Sequence, residues 1–209
     1  MPGLLPEIDP EGLLEYSVVY TDRSLNHMSQ SFQIVMNDIS MTLKKVYNAN
    51  AVAVVPGSGT FGMEAVARQF ATGKKCLVIR NGWFSFRWTQ IFDKGQIPSQ
   101  STVLKAKRIH EGKQAPFAPA TIEEVIAAIK IEKPDLVFAP HVETSAGVIL
   151  PDEYLKAISK ASHDVGALFI LDCIASGCAW VDMQATGVDI LISAPQKGWS
   201  STPSAGVVI

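Results

Sequence analysis

Cysteine is scarce in this sequence, and the few present do not pair. Among 209 residues there are three, Cys76, Cys173 and Cys178. An odd count without C-x-x-C spacing fits neither a disulfide framework nor a zinc site, so no metal centre is expected. Cys76 and Cys173 sit inside apolar runs and read as buried free thiols, which points to a reducing, cytoplasmic compartment. Long apolar runs are lacking too. None approaches the roughly 18 residues of a membrane span, and Val165 to Leu171 has the length of a strand. Basic clusters are missing: Lys+Arg total 18 against Asp+Glu 20, a net charge of −2. Neither a nucleic-acid nor a membrane-surface partner is therefore expected. The N-terminal segment carries Glu7, Asp9, Glu11 and Glu15 with no basic flank, unlike a signal peptide.

What is present is a core. Hydrophobic residues make up 47% and charged residues 18%, which excludes a disordered chain. A helix is expected from about Asn26 to Tyr47, with Phe32, Val35, Met36, Ile39, Leu43 and Val46 on one apolar face. After it, short apolar runs alternate with helical patterns. Strands are expected at Ala51–Val55, Lys75–Arg80, Thr102–Leu104, Asp135–Ala139, Ala167–Leu171, Ile190–Ile192 and Ala205–Ile209. Helices are expected at Phe61–Phe70, Trp83–Phe92, from Thr121 to about Ile131, and from Pro151 to about His163. Continuous apolar strands between helices indicate an α/β fold, a three-layer α/β/α arrangement with a mostly parallel sheet covered on both faces. The chain divides into an N-terminal arm and helix (1–50) and a large domain (51–209). It stops inside an apolar run, so further sequence beyond Ile209 is expected.

In such a sheet, ligands bind beyond the carboxyl ends of the strands. Gly57-Ser58-Gly59-Thr60-Phe61-Gly62 follows one strand and opens a helix, a natural cradle for phosphate. The same stretch satisfies G-x-G-x-x-G, which keeps a dinucleotide-binding oxidoreductase open as an alternative. The next strand ends in Arg80 where an acid would be expected, and Arg80 could suit a 2′-phosphate instead. Asp172 closes the run Ala167–Leu171 and needs a donor or cation partner there. Lys197 follows the run from Asp189 to Gln196, flanked by small, apolar and hydroxyl residues. A phosphate, a basic ring nitrogen and an aldehyde would satisfy all three sites, and those are the handles of pyridoxal 5′-phosphate.

From about Val54 to Ile209 the chain resembles the large domain of class V aminotransferases, of pyridoxal-phosphate fold type I. It is most similar to the alanine–glyoxylate and serine–pyruvate group. The words that carry the resemblance are Pro-Gly-Ser-Gly-Thr-Phe-Gly-Met-Glu-Ala (56–65), Asn-Gly-Trp-Phe-Ser-Phe-Arg-Trp (81–88), His-Val-Glu-Thr-Ser-Ala-Gly-Val (141–148), Asp-Cys-Ile-Ala-Ser-Gly (172–177) and Ser-Ala-Pro-Gln-Lys-Gly (193–198). The resemblance implies that Ser58, Gly59 and Thr60 hold the cofactor phosphate and that Phe84 stacks on the ring. Thr144 would bond near the ring hydroxyl, Asp172 would pair with the ring nitrogen, and Gln196 would reach the phosphate. Lys197 would form the Schiff base and carry the proton. His141 and Glu143 are read as orienting their loop, and Trp88 as core packing.

The implied activity moves an amino group from a small amino acid, such as alanine or serine, to a 2-oxo acid such as glyoxylate or pyruvate. Aminophosphonate transamination and cysteine-desulfurase-like lysis are alternatives within the same fold. Gln196 and Phe84 stand where desulfurases typically carry histidines, which favours transamination. The resemblance also implies a homodimer, and a smaller C-terminal domain with the arginine that clamps the substrate carboxylate.

Overall fold

The computed structural model describes residues 27–209, so the first 26 residues of the arm, Asn26 included, lie outside the described residues. Helix α1 (Gln30–Tyr47) starts at Ser29, whose hydroxyl accepts the Phe32 N–H at 3.1 Å. Its expected apolar face is only partly buried. Leu43 and Tyr47 enter the core, whereas Val35, Ile39 and Val46 remain exposed. Of this helix, Leu43 and Tyr47 are the residues that join the hydrophobic core.

The elements then follow as strand β1 (Ala53–Pro56), helix α2 (Gly59–Phe70), β2 (Lys75–Arg80), α3 (Phe86–Gly95) and β3 (Gln100–Lys105). A small hairpin, β4 (Lys107–Arg108) and β5 (Phe117–Ala118), follows β3. Next come α4 (Ile122–Glu132), β6 (Leu136–Pro140), the hairpin β7 (Val142–Glu143) and β8 (Val148–Ile149), and α5 (Asp152–Asp164). The chain finishes with β9 (Leu168–Asp172), the short α6 (Met183–Thr186), β10 (Ile190–Ser193) and β11 (Ala205–Val208). Helix α4 is fixed by a capping box in which Thr121 and Glu124 each satisfy the other's backbone N–H. Helix α3 begins three residues later than the periodicity predicts, because Trp83, Phe84 and Ser85 form a turn.

Seven strands make one sheet in the order β1-β11-β10-β9-β6-β2-β3. The run β10-β9-β6-β2-β3 is parallel, and β11 is antiparallel to both its neighbours. No crossover helix separates β10 from β11, so the 194–204 loop can only turn the chain back beside itself. Alternate residues of each strand face opposite layers. Leu77, Ile79, Val137, Phe169 and Leu171 pack with α1, α4 and α5. Cys76, Val78, Phe138, Ile170 and Ile192 pack with α2 and α3, around the fully buried Trp88 and Phe92. The sheet is thus covered on both faces, as the continuous apolar strands require.

Helix α2 lies unusually close to the sheet. A Cβ at Gly206 of β11 would stand 2.7 Å from the Ser58 carbonyl oxygen and 2.8 Å from the Gly62 nitrogen. Both are backbone atoms and cannot step aside, so Gly206→Ala should force α2 outward. The expected loss is about 1–3 kcal/mol in urea unfolding. Ile131→Ala, at a residue 78% exposed, should change stability by less than about 0.5 kcal/mol. Equal effects of the two substitutions would contradict this packing.

Candidate active site

The carboxyl ends of β2, β6 and β9 and the loops after them surround a cavity of about 410 Å³. Six residues expected to act together line it: Thr60, Phe84, Thr144, Asp172, Gln196 and Lys197. Met63, Val142, Ile174 and Ala175 form its apolar walls, and Arg87 adds a cation that the sequence reading did not single out. Ser58 and Gly59 stand at the N-terminus of α2 beside the cavity, outside its lining. Ser58 has an extended backbone and makes no side-chain capping bond. Gly59 is packed so tightly that a Cβ there would meet Ile174 Cδ1 at 2.7 Å.

Asp172 ends β9, where the fold places its carboxylate against a low-dielectric core. Oδ1 accepts the Ile174 N–H at 2.9 Å. Burial is the main force on this group and the Glu143 charge adds to it. The Ile174 hydrogen bond and the charges of Arg87 and Lys197 oppose them, and the pKa is pushed up to about 6. Lys197 is exposed in the β10–β11 loop, with Nζ 5.9 Å from the Phe84 ring centroid. The Gln196 side-chain oxygen is buried without a hydrogen-bond partner among the described residues.

Glu143 organises this end of the molecule. Fully buried at the end of β7, it accepts from Phe84 N at 3.1 Å, Ser85 N at 2.9 Å, Ser85 Oγ at 2.6 Å and Ser145 Oγ at 2.6 Å. Ser145 Oγ in turn accepts the Trp83 N–H at 2.8 Å. One carboxylate therefore ties the turn that carries Phe84 to the turn that carries Thr144. The approach is so close that a Cβ at Gly82 would collide with Ser145 Oγ and the Glu143 carboxylate. Burial pushes the Glu143 carboxyl up, but the hydroxyl and backbone donors of Ser145, Ser85 and Phe84 together hold it below its ordinary value. His141 does not line the cavity. Its Nδ1 lies 2.8 Å from Ser176 Oγ, and burial lowers its pKa, keeping the ring neutral.

The dinucleotide alternative loses its footing here. The Gly57–Gly62 turn follows an edge strand, and Arg80 is drawn away from it. Arg80 stacks 4.8 Å from the Phe86 ring centroid and donates to Thr89 Oγ1 at 3.3 Å.

The family model described as aminotransferase class-V matches residues 11–209. The chain belongs to the class V aminotransferases. It is 28% identical to the alanine–glyoxylate aminotransferase of Rattus norvegicus over 190 residues, which is 89% of this chain and 43% of that protein. It is 30% identical to the L-aspartate–glyoxylate aminotransferase of Paracoccus denitrificans (strain Pd 1222) over 191 residues, 88% of this chain and 46% of that one. The crystal structure of alanine–glyoxylate aminotransferase from Nostoc sp. superposes with a TM-score of 0.73 at 25% identity, covering 87% of this chain and 46% of that chain. The chain thus spans less than half the length of these relatives. The fold is that of fold type I enzymes, and the family depends on pyridoxal phosphate, in agreement with the expected class and cofactor. Among the described residues no helix is long and apolar enough to cross a membrane.

Two substitutions test the electrostatics. Glu143→Gln places an amide N–H₂ among groups that are all donors and should lower stability by about 1–3 kcal/mol at neutral pH. Because the native Glu143 pKa is lowered, its contribution is complete above the ordinary value of 4.5 and lost as pH falls through the native one. The gap between the two proteins should therefore close in acid; a gap independent of pH would contradict the clamp. Asp172 behaves oppositely. Its native pKa is raised, so stability is fully present below 3.8 and falls as pH rises through about 6. Asp172→Asn keeps an acceptor for Ile174 but does not ionise. Its stability relative to the wild type should rise by up to about 3 kcal/mol between roughly pH 4 and pH 8. Parallel stability profiles in chemical denaturation would contradict a buried, strained carboxylate.

Proposed function

We propose that the protein is a pyridoxal-phosphate-dependent transaminase that moves an amino group from a small amino acid such as alanine or serine to a 2-oxo acid such as glyoxylate or pyruvate. The observation that carries the reading is the convergence of Lys197, Asp172 and Thr60 on one cavity, from the β10–β11 loop, the end of β9 and the first turn of α2. The donor set fits the cofactor. An amine, a carboxylate, hydroxyls, an aromatic face and a helix N-terminus surround a volume suited to a substituted ring, within the usual range for small-molecule sites.

When bound, the cofactor supplies an aldehyde and an electron-withdrawing ring that stabilises negative charge on a substrate carbon. The residues of the chain do the rest. Asp172, held above the ordinary carboxylate range by burial, would hold a proton at the ring nitrogen. An ion pair with that nitrogen would relieve the cost of its buried charge. Lys197 Nζ would accept and release protons at the cavity mouth. Phe84, fixed by Glu143 through its own backbone N–H, would hold the ring flat. Ser58, Gly59 and Thr60 would hold the phosphate, Gln196 would reach it, and Thr144 would bond near the ring hydroxyl. The apolar walls of Met63, Val142 and Ile174 would limit water.

The expected homodimer is part of this reading and would cover the exposed apolar residues of α1. The expected cytoplasmic setting agrees with three unpaired cysteines.

Titration of pyridoxal 5′-phosphate, followed by the cofactor's visible absorbance, should show saturable binding with a shifted spectrum. Lys197→Ala should abolish the shift. No binding to the wild type, or identical spectra for the two proteins, would sink the proposal.

A further inference from the structure

Arg87 is the second residue of α3 and is half-buried at the edge of the cavity. Its Nη1 donates to Thr60 Oγ1 at 2.7 Å. A threonine hydroxyl has one proton and two lone pairs. With Arg87 occupying a lone pair, the proton of Thr60 is left to donate elsewhere.

The first turn of α2, on one side of this bond, carries no negative charge of its own. Thr60 lies in the first turn of α2, and Arg87 lies in the first turn of α3. Neither first turn contains an acidic residue, and neither helix has a side-chain cap. Helix N-termini carry partial positive charge. That of α3 is met by the Glu143 carboxylate, which accepts from Phe84 N and Ser85 N. Helix α2 has no such partner, so a guanidinium bonded to Thr60 there is unfavourable unless an anion joins it. The structure supplies no carboxylate in contact with it. Among the described residues Arg87 forms no salt bridge, and Glu64, one helical turn along α2 from Thr60, is taken by Arg68 at 2.7 Å. Asp172, the carboxylate in the cavity lining, feels the Arg87 charge without a salt-bridge contact. The N-terminus of α2, an oriented hydroxyl and a cation without a salt bridge among the described residues therefore share one corner of the cavity.

We propose that Arg87 is a positioning residue for the phosphate of pyridoxal phosphate, acting mainly through Thr60. By donating to Oγ1 it turns the Thr60 proton toward a phosphate oxygen and makes that hydroxyl a stronger donor. The inference rests on the cofactor reading above and adds a specific claim to it: the contribution of Arg87 is confined to the phosphate end of the ligand.

That confinement gives the test. Dissociation constants are measured for pyridoxal 5′-phosphate and for pyridoxal, which lacks the phosphate, on the wild type, Arg87→Gln, Thr60→Val and the double variant. Arg87→Gln should weaken the phosphate form at least about tenfold, in line with loss of a charge-assisted hydrogen-bond network, and leave pyridoxal within about twofold. In the Thr60→Val background, Arg87→Gln should have much less effect. Arg87→Lys, which keeps charge without the planar fork, should recover part of the loss. Pyridoxal affinity also reports that the variant is folded.

Equal weakening of both ligands would show a general structural role and overturn the inference. So would unchanged phosphate-form affinity, or full additivity with Thr60→Val. A wild type that binds neither compound would overturn the cofactor reading itself, and the Arg87 assignment with it.

Discussion

The direction of five strands decides where everything polar can go. Because β10, β9, β6, β2 and β3 run parallel, their carboxyl ends fall on one edge of the sheet, and the loops that leave them share that edge. Asp172 ends β9, the 81–85 turn follows β2, the hairpin with Glu143 and Thr144 follows β6, and Lys197 follows β10. None of these residues is near the others in sequence. An antiparallel sheet would have split them between two edges. The reversed strand β11 adds the last part: running back beside β10, it returns the chain alongside β1 and lets α2 settle tightly over Gly206.

Parallel strands bring loops together but do not make them rigid. Here two polar interactions supply the missing order. Glu143 gathers backbone and hydroxyl donors from both the Phe84 turn and the Thr144 turn, so the two move as one body. Arg87 links α3 to the first turn of α2 through Thr60. The Glu143 bonds lie behind the cavity lining, whereas the Arg87–Thr60 bond lies in it. The arrangement also accounts for the raised pKa of Asp172: its burial and the nearby Glu143 charge make an ionised carboxylate unfavourable until a cationic partner is present.

Much of this was legible in the sequence, for physical reasons that differ by residue. Apolar runs of strand length marked the sheet, and the residue types just beyond them, Thr60, Asp172 and Lys197, pointed to the site because strand ends are where α/β folds bind ligands. Thr144 and Gln196 came from the family resemblance alone. Other features could not be read that way. The Glu143 bonds to Phe84 and Ser85 join residues nearly sixty positions apart, and no local pattern encodes such a pairing. Arg87 sat in an amphipathic stretch where a cation is ordinary; only its approach to Thr60 makes it distinctive. Helix α1 shows the converse. Its apolar periodicity is real, but periodicity identifies a face without showing what covers it. The late start of α3 has a local cause, since the Ser85 side chain accepts the N–H groups of Asn81 and Gly82 and holds the turn open.

On the proposed reading, the cavity at the strand ends receives pyridoxal phosphate in one orientation. The most direct measurement is a crystal structure of the protein grown with that cofactor. Phosphate density is expected at the N-terminus of α2, within hydrogen-bond distance of Thr60, with the ring against Phe84 and its nitrogen on Asp172. Density with the phosphate at Asp172, or cofactor bound only outside this cavity, would contradict it.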